Sequence, residues 1–453
     1  METMTSTTTS TIPVPVPLSL KQRLLKGRLG RILNGSFILL LSSFVVAGGN
    51  AVYNMTIAHM LGANGFGHAN AAFTILMLIA SITLSFELVC AKLIAREQDP
   101  IHRAFFYHRL LRKSWIAGLS LAAALSVFSG SIARYLQFPH SEHILILSAG
   151  IAFFIPLGVK RGAMQGRCAF HRLAWSFIIE VVVKVGFAVL LVSRGLGVDG
   201  VIAAVSLSVI AAYFLPPVPP ELRQSSSVKL AVSYREGLQA IFFFVGQVVI
   251  TNVDVLVIKH FFSPEQAGLY AGVALVGRVG HLLSWSVIRA MFPVSASTSE
   301  REQRPLMLLM PVALVSAICG VCVLALGIMP VTVLHVAFGK DFGQAIHGLR
   351  PLVMLYATMT GIYSVAVVLM VYEMSRRVTN AGLIQLAFAG MIVAGIYGFH
   401  RSLGQVVLVQ LICIVLLLLT VALPVLRHRF YAGLESSTDS PRPLKITLAK
   451  SGQ

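Results

Sequence analysis

Five ionisable residues stand inside otherwise apolar runs of this 453-residue chain: Glu87, Glu180, Lys184, Asp254 and Arg278. A charge at the centre of a bilayer-spanning helix costs roughly 2.5–3.5 kcal/mol on insertion scales. Such residues are expected to face a bundle interior or a wet cavity. Lys184 and Arg278 fall one in each half of the chain and have the chemistry to hold an anionic phosphate group. Arginine does so through two parallel N–H bonds and lysine as a point charge. Glu180 lies four residues before Lys184, so an intrahelical pair that cancels both charges is the alternative, and the two roles can coexist. Arg278 has no acid three or four residues away on either side, which leaves another helix or a ligand as its partner. Asp254, one turn from Thr251 and close to Asn252, is either a site for a proton or cation or a structural acid bonded to neighbouring helices. Glu87, near Lys92, reads as structural or as a rim residue. Asn50 and Asn54 share one helix face and suit interhelical hydrogen bonding.

The elements that must position these residues are legible from composition. The chain is 56% hydrophobic and only 12% charged, with a mean hydropathy of +0.82. Soluble domains carry about a quarter charged residues, and a helical span needs about 20 apolar ones. The fold class expected is an all-α polytopic membrane protein of about twelve spans, at 36–58, 70–91, 115–133, 144–163, 173–193, 198–216, 238–258, 267–288, 306–329, 351–372, 381–399 and 404–426. Transmembrane strands would instead alternate over about 10 residues. The segments expected are a cytoplasmic tail and basic interfacial helix (1–30), a six-helix bundle (31–216), a Pro/Ser-rich linker (217–236), a second bundle (237–427) and a second tail (428–453).

Thirty-six Lys and Arg against 17 Asp and Glu give a net charge of +19. In this alternation of spans the basic residues gather on one side, twenty-eight against six, with Lys184 and Arg278 left inside. That asymmetry accounts for the charge without nucleic acid and places both termini in the cytoplasm. The six on the outer side are Arg134, Arg194, Lys259, Lys340, Arg350 and Arg401. Histidines 140, 143, 260, 335 and 347 also fall there, where they are either external pH sensors or plain loop residues. The five cysteines, including the Cys319–Cys322 pair within ICGVCVLAL, read as packing residues, and no metal cluster stands out.

The two bundles look related. HMLGANGFGHANAAF at 59–73 resembles HFFSPEQAGLYAGVA at 260–274 at a constant offset of 201, which pairs His59 with His260, Gly67 with Gly268 and, further on, Ser85 with Ser286. RLAWSFIIEV at 172–181 resembles RVTNAGLIQL at 377–386 and sets Glu180 against Gln385. Six spans per half make the repeat parallel, with a pseudo-twofold axis along the membrane normal.

The run LGANGFGHANAAF is similar to the LGxxxFGxxxxA signature of polysaccharide flippases. VKRGAMQGRCAFHRLAWSFIIEVVVK at 159–184, TNVDVLVIKHFFSPEQAGLYAGVALVGRV at 251–279, MFPVSAS at 291–297 and FGKDFGQA at 338–345 resemble further motifs of that family in the same order. The resemblance covers most of residues 31–426. It points to the lipid-linked oligosaccharide flippases of the multidrug/oligosaccharidyl-lipid/polysaccharide exporter superfamily. It implies movement of an undecaprenyl-pyrophosphate-linked glycan from the cytoplasmic to the periplasmic leaflet of a bacterial inner membrane. Surface polysaccharide (O-antigen, capsule or exopolysaccharide) would be the product, with a polymerase and a chain-length regulator as candidate partners. No cofactor is implied beyond a coupling H+ or Na+, and no enzymatic activity. Lys184 and Arg278 become candidates to hold the pyrophosphate, and Asp254, Glu180 and Glu87 candidate coupling or cavity acids. The alternative is a cation-coupled multidrug antiporter of the same superfamily. A membrane-embedded polymerase or ligase is disfavoured because every external loop is short.

Overall fold

The computed structural model describes residues 28–222, 235–285, 287–288, 306–376 and 381–438. The expected interfacial helix before residue 28, most of the 217–236 linker, Ser286, the 291–297 motif and the last fifteen residues lie outside them.

Fourteen α-helices account for nearly all of the described chain, and no strand occurs among these residues. The N-terminal half holds α1 (Arg28–Arg96), α2 (Pro100–Val127), α3 (Ser129–Tyr135), α4 (Glu142–Gly166), α5 (Phe170–Leu191) and α6 (Gly197–Phe214). The C-terminal half holds α7 (Arg235–Phe261), α8 (Pro264–Gly277), α9 (Leu306–Ile328), α10 (Val331–Phe338), α11 (Lys340–Gly348), α12 (Arg350–Arg376), α13 (Ala381–Gly398) and α14 (Leu403–Thr438). Ten helical segments are long and apolar enough to cross a membrane, and this is a multi-pass membrane protein.

Two of the ten segments are far longer than one crossing. Leu41–Arg96 has 56 residues, or about 84 Å at 1.5 Å per residue, against a hydrocarbon core of about 30 Å. Gly62 breaks it with a left-handed φ of 63°, a conformation glycine adopts without a Cβ penalty. Phe170–Phe214 is interrupted in the same way at Gly195 (φ 86°) and Gly197 (φ 53°). These breaks fall where the hydropathy reading separates span 1 from span 2 and span 5 from span 6.

Helices in lipid gain little from hydrophobicity between themselves and rely on close packing through small residues. Gly158, Gly162 and Gly166 form such a stripe on α4 against the second leg of α1. A Cβ at Gly162 would stand 2.2 Å from the Glu87 carbonyl oxygen, and one at Gly166 2.6 Å from that of Ala91. Outward-facing positions are apolar, as with Val127, Val321 and Ile328, which suits a lipid boundary.

The halves meet mainly through α1, which packs on α7 and α8. Gly67 and Gly268, paired by the sequence repeat, meet at this seam: a Cβ on Gly67 would lie 2.9 Å from the Gly268 nitrogen. Symmetry-related residues touch each other only near their axis, so the contact places the pseudo-twofold axis there.

Candidate functional site: polar clusters in each half

In the N-terminal half, α5 and α4 bring Arg161 against Glu180, with 2.5 Å between Nη2 and Oε2. Arg161 also donates to the hydroxyl (3.1 Å) and carbonyl (3.2 Å) of Ser176. Glu180 therefore pairs with α4 rather than with Lys184, and the i, i+4 pair weighed as an alternative does not form. Lys160 and Arg161, two of the twenty-eight basic residues on the cytoplasmic side of the charge count, are both buried within α4. Lys160 donates to the Tyr213 and Pro216 carbonyls at the end of α6, where a cation complements the helix dipole.

Lys184 is buried and donates to the Asn50 side-chain oxygen. Its ammonium lies 4.8 Å from the Tyr53 ring centre and 5.3 Å from that of Phe73. No carboxylate among the described residues lies within ion-pair distance of it. Asn50 thus makes the interhelical bond expected, whereas Asn54 only returns to its own helix at the Asn50 carbonyl. Glu87 forms no hydrogen bond or ion pair among the described residues, and its carboxylate lies within the electrostatic reach of Arg161 and Glu180.

In the C-terminal half Asp254 is fully buried. Its Oδ1 accepts from Arg278 Nη2 at 3.2 Å; its Oδ2 accepts from Tyr270 and Tyr356, each at 2.8 Å. Arg278 also donates to Tyr356 (2.9 Å) and to the Asn252 side chain (3.3 Å). The partner of Arg278 is another helix, and Asp254 is the bonded acid of a neutral pair. Three of five guanidinium N–H donors are used, and the side chain keeps one-fifth of its surface exposed.

A second network in this half carries no formal charge. Trp285 Nε1 and Gln247 Nε2 both point at His281 Nε2, at 3.2 and 3.3 Å. Indole and amide nitrogens only donate, so Nε2 must be the unprotonated acceptor, and Nδ1–H donates to Ser364 at 2.8 Å. Tyr363, Gln385 and Gln247 extend the network across α12, α13 and α7. Sequence reasoning missed His281, Tyr356 and Tyr363. The one signal available was Gln385, the repeat partner of Glu180.

The hydrogen bonds and ring contacts described between the halves gather at the end the charge count places outside. His260 Nδ1 donates to the Tyr135 carbonyl at 2.7 Å, and its ring stacks on Tyr135 with centres 3.9 Å apart. Gln137 donates to the His260 carbonyl at 2.7 Å, and the Tyr135 and Tyr397 hydroxyls are bonded. Phe66 packs edge-on against Phe338 and Phe342. His59, the repeat partner of His260, lies beside Gly339 of the opposite half. The seam therefore uses each half's histidine against the other half's loop.

Residues 56–347 match a sequence family described as a polysaccharide biosynthesis protein. The chain belongs to the polysaccharide biosynthesis protein family. None of the curated proteins matches it. Its fold is that of transporters and flippases in the multidrug/oligosaccharidyl-lipid/polysaccharide superfamily. An inward-facing multidrug resistance MATE family transporter is 14% identical and superposes with a TM-score of 0.69, over 86% of this chain and 96% of that one. The lipid II flippase MurJ in an inward closed conformation is 10% identical, also with a TM-score of 0.69, over 86% and 87%. An outward-facing MATE transporter is 15% identical with a TM-score of 0.57, over 90% and 98%. The family is one of polysaccharide biosynthesis, and the fold is one found in transporters and flippases.

Proposed function

We propose that this family member is a flippase. It moves an undecaprenyl-pyrophosphate-linked oligosaccharide repeat unit from the cytoplasmic to the periplasmic leaflet of a bacterial inner membrane by alternating access. Its twelve spans would leave both termini in the cytoplasm. The observation that carries the reading is the family match joined to a two-bundle transporter fold closed at its outer end. A pyrophosphate and a sugar chain cannot cross hydrocarbon unsolvated, so the path must run between the bundles, with the lipid tail left in the bilayer.

Lys184 is the leading candidate to hold the pyrophosphate, because no carboxylate among the described residues is within ion-pair distance and its one bond is to a neutral amide. Arg278 contributes through its two remaining N–H donors, at the cost of weakening its pair with Asp254. Glu180 and Asp254 are held by arginines, which leaves Glu87 as the candidate coupling acid, for H+ or Na+. With two of three acids neutralised, the clusters suit an anionic cargo better than a cationic drug. A polysaccharide polymerase and a chain-length regulator are the proposed partners, and the chain itself carries transport rather than catalysis.

The test is deletion of the gene followed by extraction of undecaprenyl-linked intermediates. Complete repeat units held on the cytoplasmic leaflet, with surface polysaccharide lost, are expected. Normal intermediates and polysaccharide with altered drug tolerance would overturn the reading in favour of the antiporter.

A further inference from the structure

Two buried polar groups near the outer seam, one in each half, each leave a side-chain nitrogen without a hydrogen-bond partner among the described residues. His68, on the second leg of α1 beside Gly67, is 6% exposed, and its Nδ1 is unbonded. Lys259, near the end of α7, is completely buried, and its Nζ is unbonded among the described residues. The charge count had set Lys259 among outer loop residues; the structure seals it instead. Lys259 and His143 are the two groups whose fields reach His68. His260, next to Lys259, is committed to Tyr135.

A column of rings joins this point to the surface. The His68 ring lies 5.5 Å from Phe138, Phe138 stacks 5.3 Å from His143, and His143 lies 6.1 Å from the exposed His140. His143 Nδ1 is 3.7 Å from Asp199 Oδ1, so the one nearby acid serves the middle of the column and not its inner end. Lys259 belongs to one half and His68 to the other, so any charge on both pushes the halves apart.

We propose that His68 is a proton-binding site of the outer gate, reached by water from outside when the seam opens. With the gate closed, a positive charge on the imidazole would be sealed near Lys259 with no acid in contact to compensate it. Opening wets the seam, separates His68 from Lys259 and lets the imidazole take a proton. The sign follows: external acid favours the open gate, and loss of the proton allows it to close. The site adds a proton to the transport reading but concerns the gate itself, so it is read out without the glycan.

The test places a cysteine at Ala267, buried in the seam beside Gly268, and measures its reaction with a membrane-impermeant maleimide added from outside. Rates are normalised to a cysteine at the exposed outer position Ser131, which removes the intrinsic pH dependence of the thiol. Labelling is expected to be about tenfold faster at about pH 5.5 than at about pH 8, either side of the ordinary imidazole value, for a tenfold difference in proton affinity between the two states. His68→Gln should flatten the ratio. Lys259→Met should shrink it, because His68 can then charge with the gate closed. A flat ratio in the parent, or one unchanged by His68→Gln, would overturn the proposal. Failure of the flippase reading shows instead in the lipid intermediates, so the two outcomes are separable.

Discussion

At the scale of single residues, the two cations once grouped together now have opposite roles. Lys184 is in direct contact with neutral groups only: an amide oxygen and two rings. Replacing it leaves no charge stranded. Lys184→Met is therefore expected to keep normal protein levels in the membrane while lowering polysaccharide export at least about tenfold, the effect of losing one charge-assisted contact of about 1.5–3 kcal/mol. Full export in this variant would remove Lys184 from the pyrophosphate site. Arg278 behaves differently because Asp254 depends on it. Truncating one partner of a buried pair costs about 3–5 kcal/mol, whereas replacing both can be neutral. Arg278→Met should sharply reduce folded protein, and the double variant Arg278→Met/Asp254→Asn should recover much of it, with the amide still bonded to Tyr270 and Tyr356. Detergent-solubilised size-exclusion profiles measure both. Equal losses in the single and double variants would show that Arg278 acts elsewhere.

At the scale of elements, the glycine stripe on α4 predicts a sharp positional contrast. A Cβ at Gly162 meets the Glu87 carbonyl at 2.2 Å, a backbone atom that cannot rotate away, whereas one at Gly186 on α5 meets nothing within 4 Å. Gly162→Ala should lose most of the folded protein, and Gly186→Ala should not. Melting curves in detergent check this, and equal stability would mean that α1 and α4 can separate locally. The stripe also marks the limit of what sequence reasoning reached. Spans follow from apolar length, so the hydropathy reading found the crossings and the glycine breaks at Gly62 and Gly195 fell between them. Close backbone approach has no hydropathy signal, so Gly162 and Gly166 were read only as part of the family resemblance at 159–184. Partner choice was harder still. The sequence offered Lys184 as one partner for Glu180 because i, i+4 neighbours are visible along a chain, but Arg161, its partner in the structure, comes from a different helix. Lys160 and Lys259 sit at span ends, where a long side chain can equally snorkel outward. Only the packing shows that they turn inward.

At the scale of the whole molecule, the Gly67–Gly268 crossing is where the two halves must part if the outer gate opens. Each glycine gives the opposite backbone room that a side chain would take: a Cβ on Gly268 would stand 1.8 Å from the Ala63 carbonyl, and one on Gly67 2.9 Å from both the Gly268 nitrogen and the Pro264 carbonyl. These obstructions come from the other half, so a side chain here disturbs the seam without entering the core of either bundle. Gly67→Val is therefore expected to leave the bundles folded and to wedge the outer end apart. In the Ala267→Cys background it should raise external labelling about tenfold or more at about pH 8, where a closed seam hides the thiol, and should remove most of the pH dependence assigned to His68, since a wedged gate no longer buries the imidazole. Export should fall as well, because alternating access needs both closed ends in turn. Unchanged labelling together with normal export would mean that the halves slide past this crossing rather than separating at it, and the seam would then be a fixed joint of the molecule instead of its outer gate.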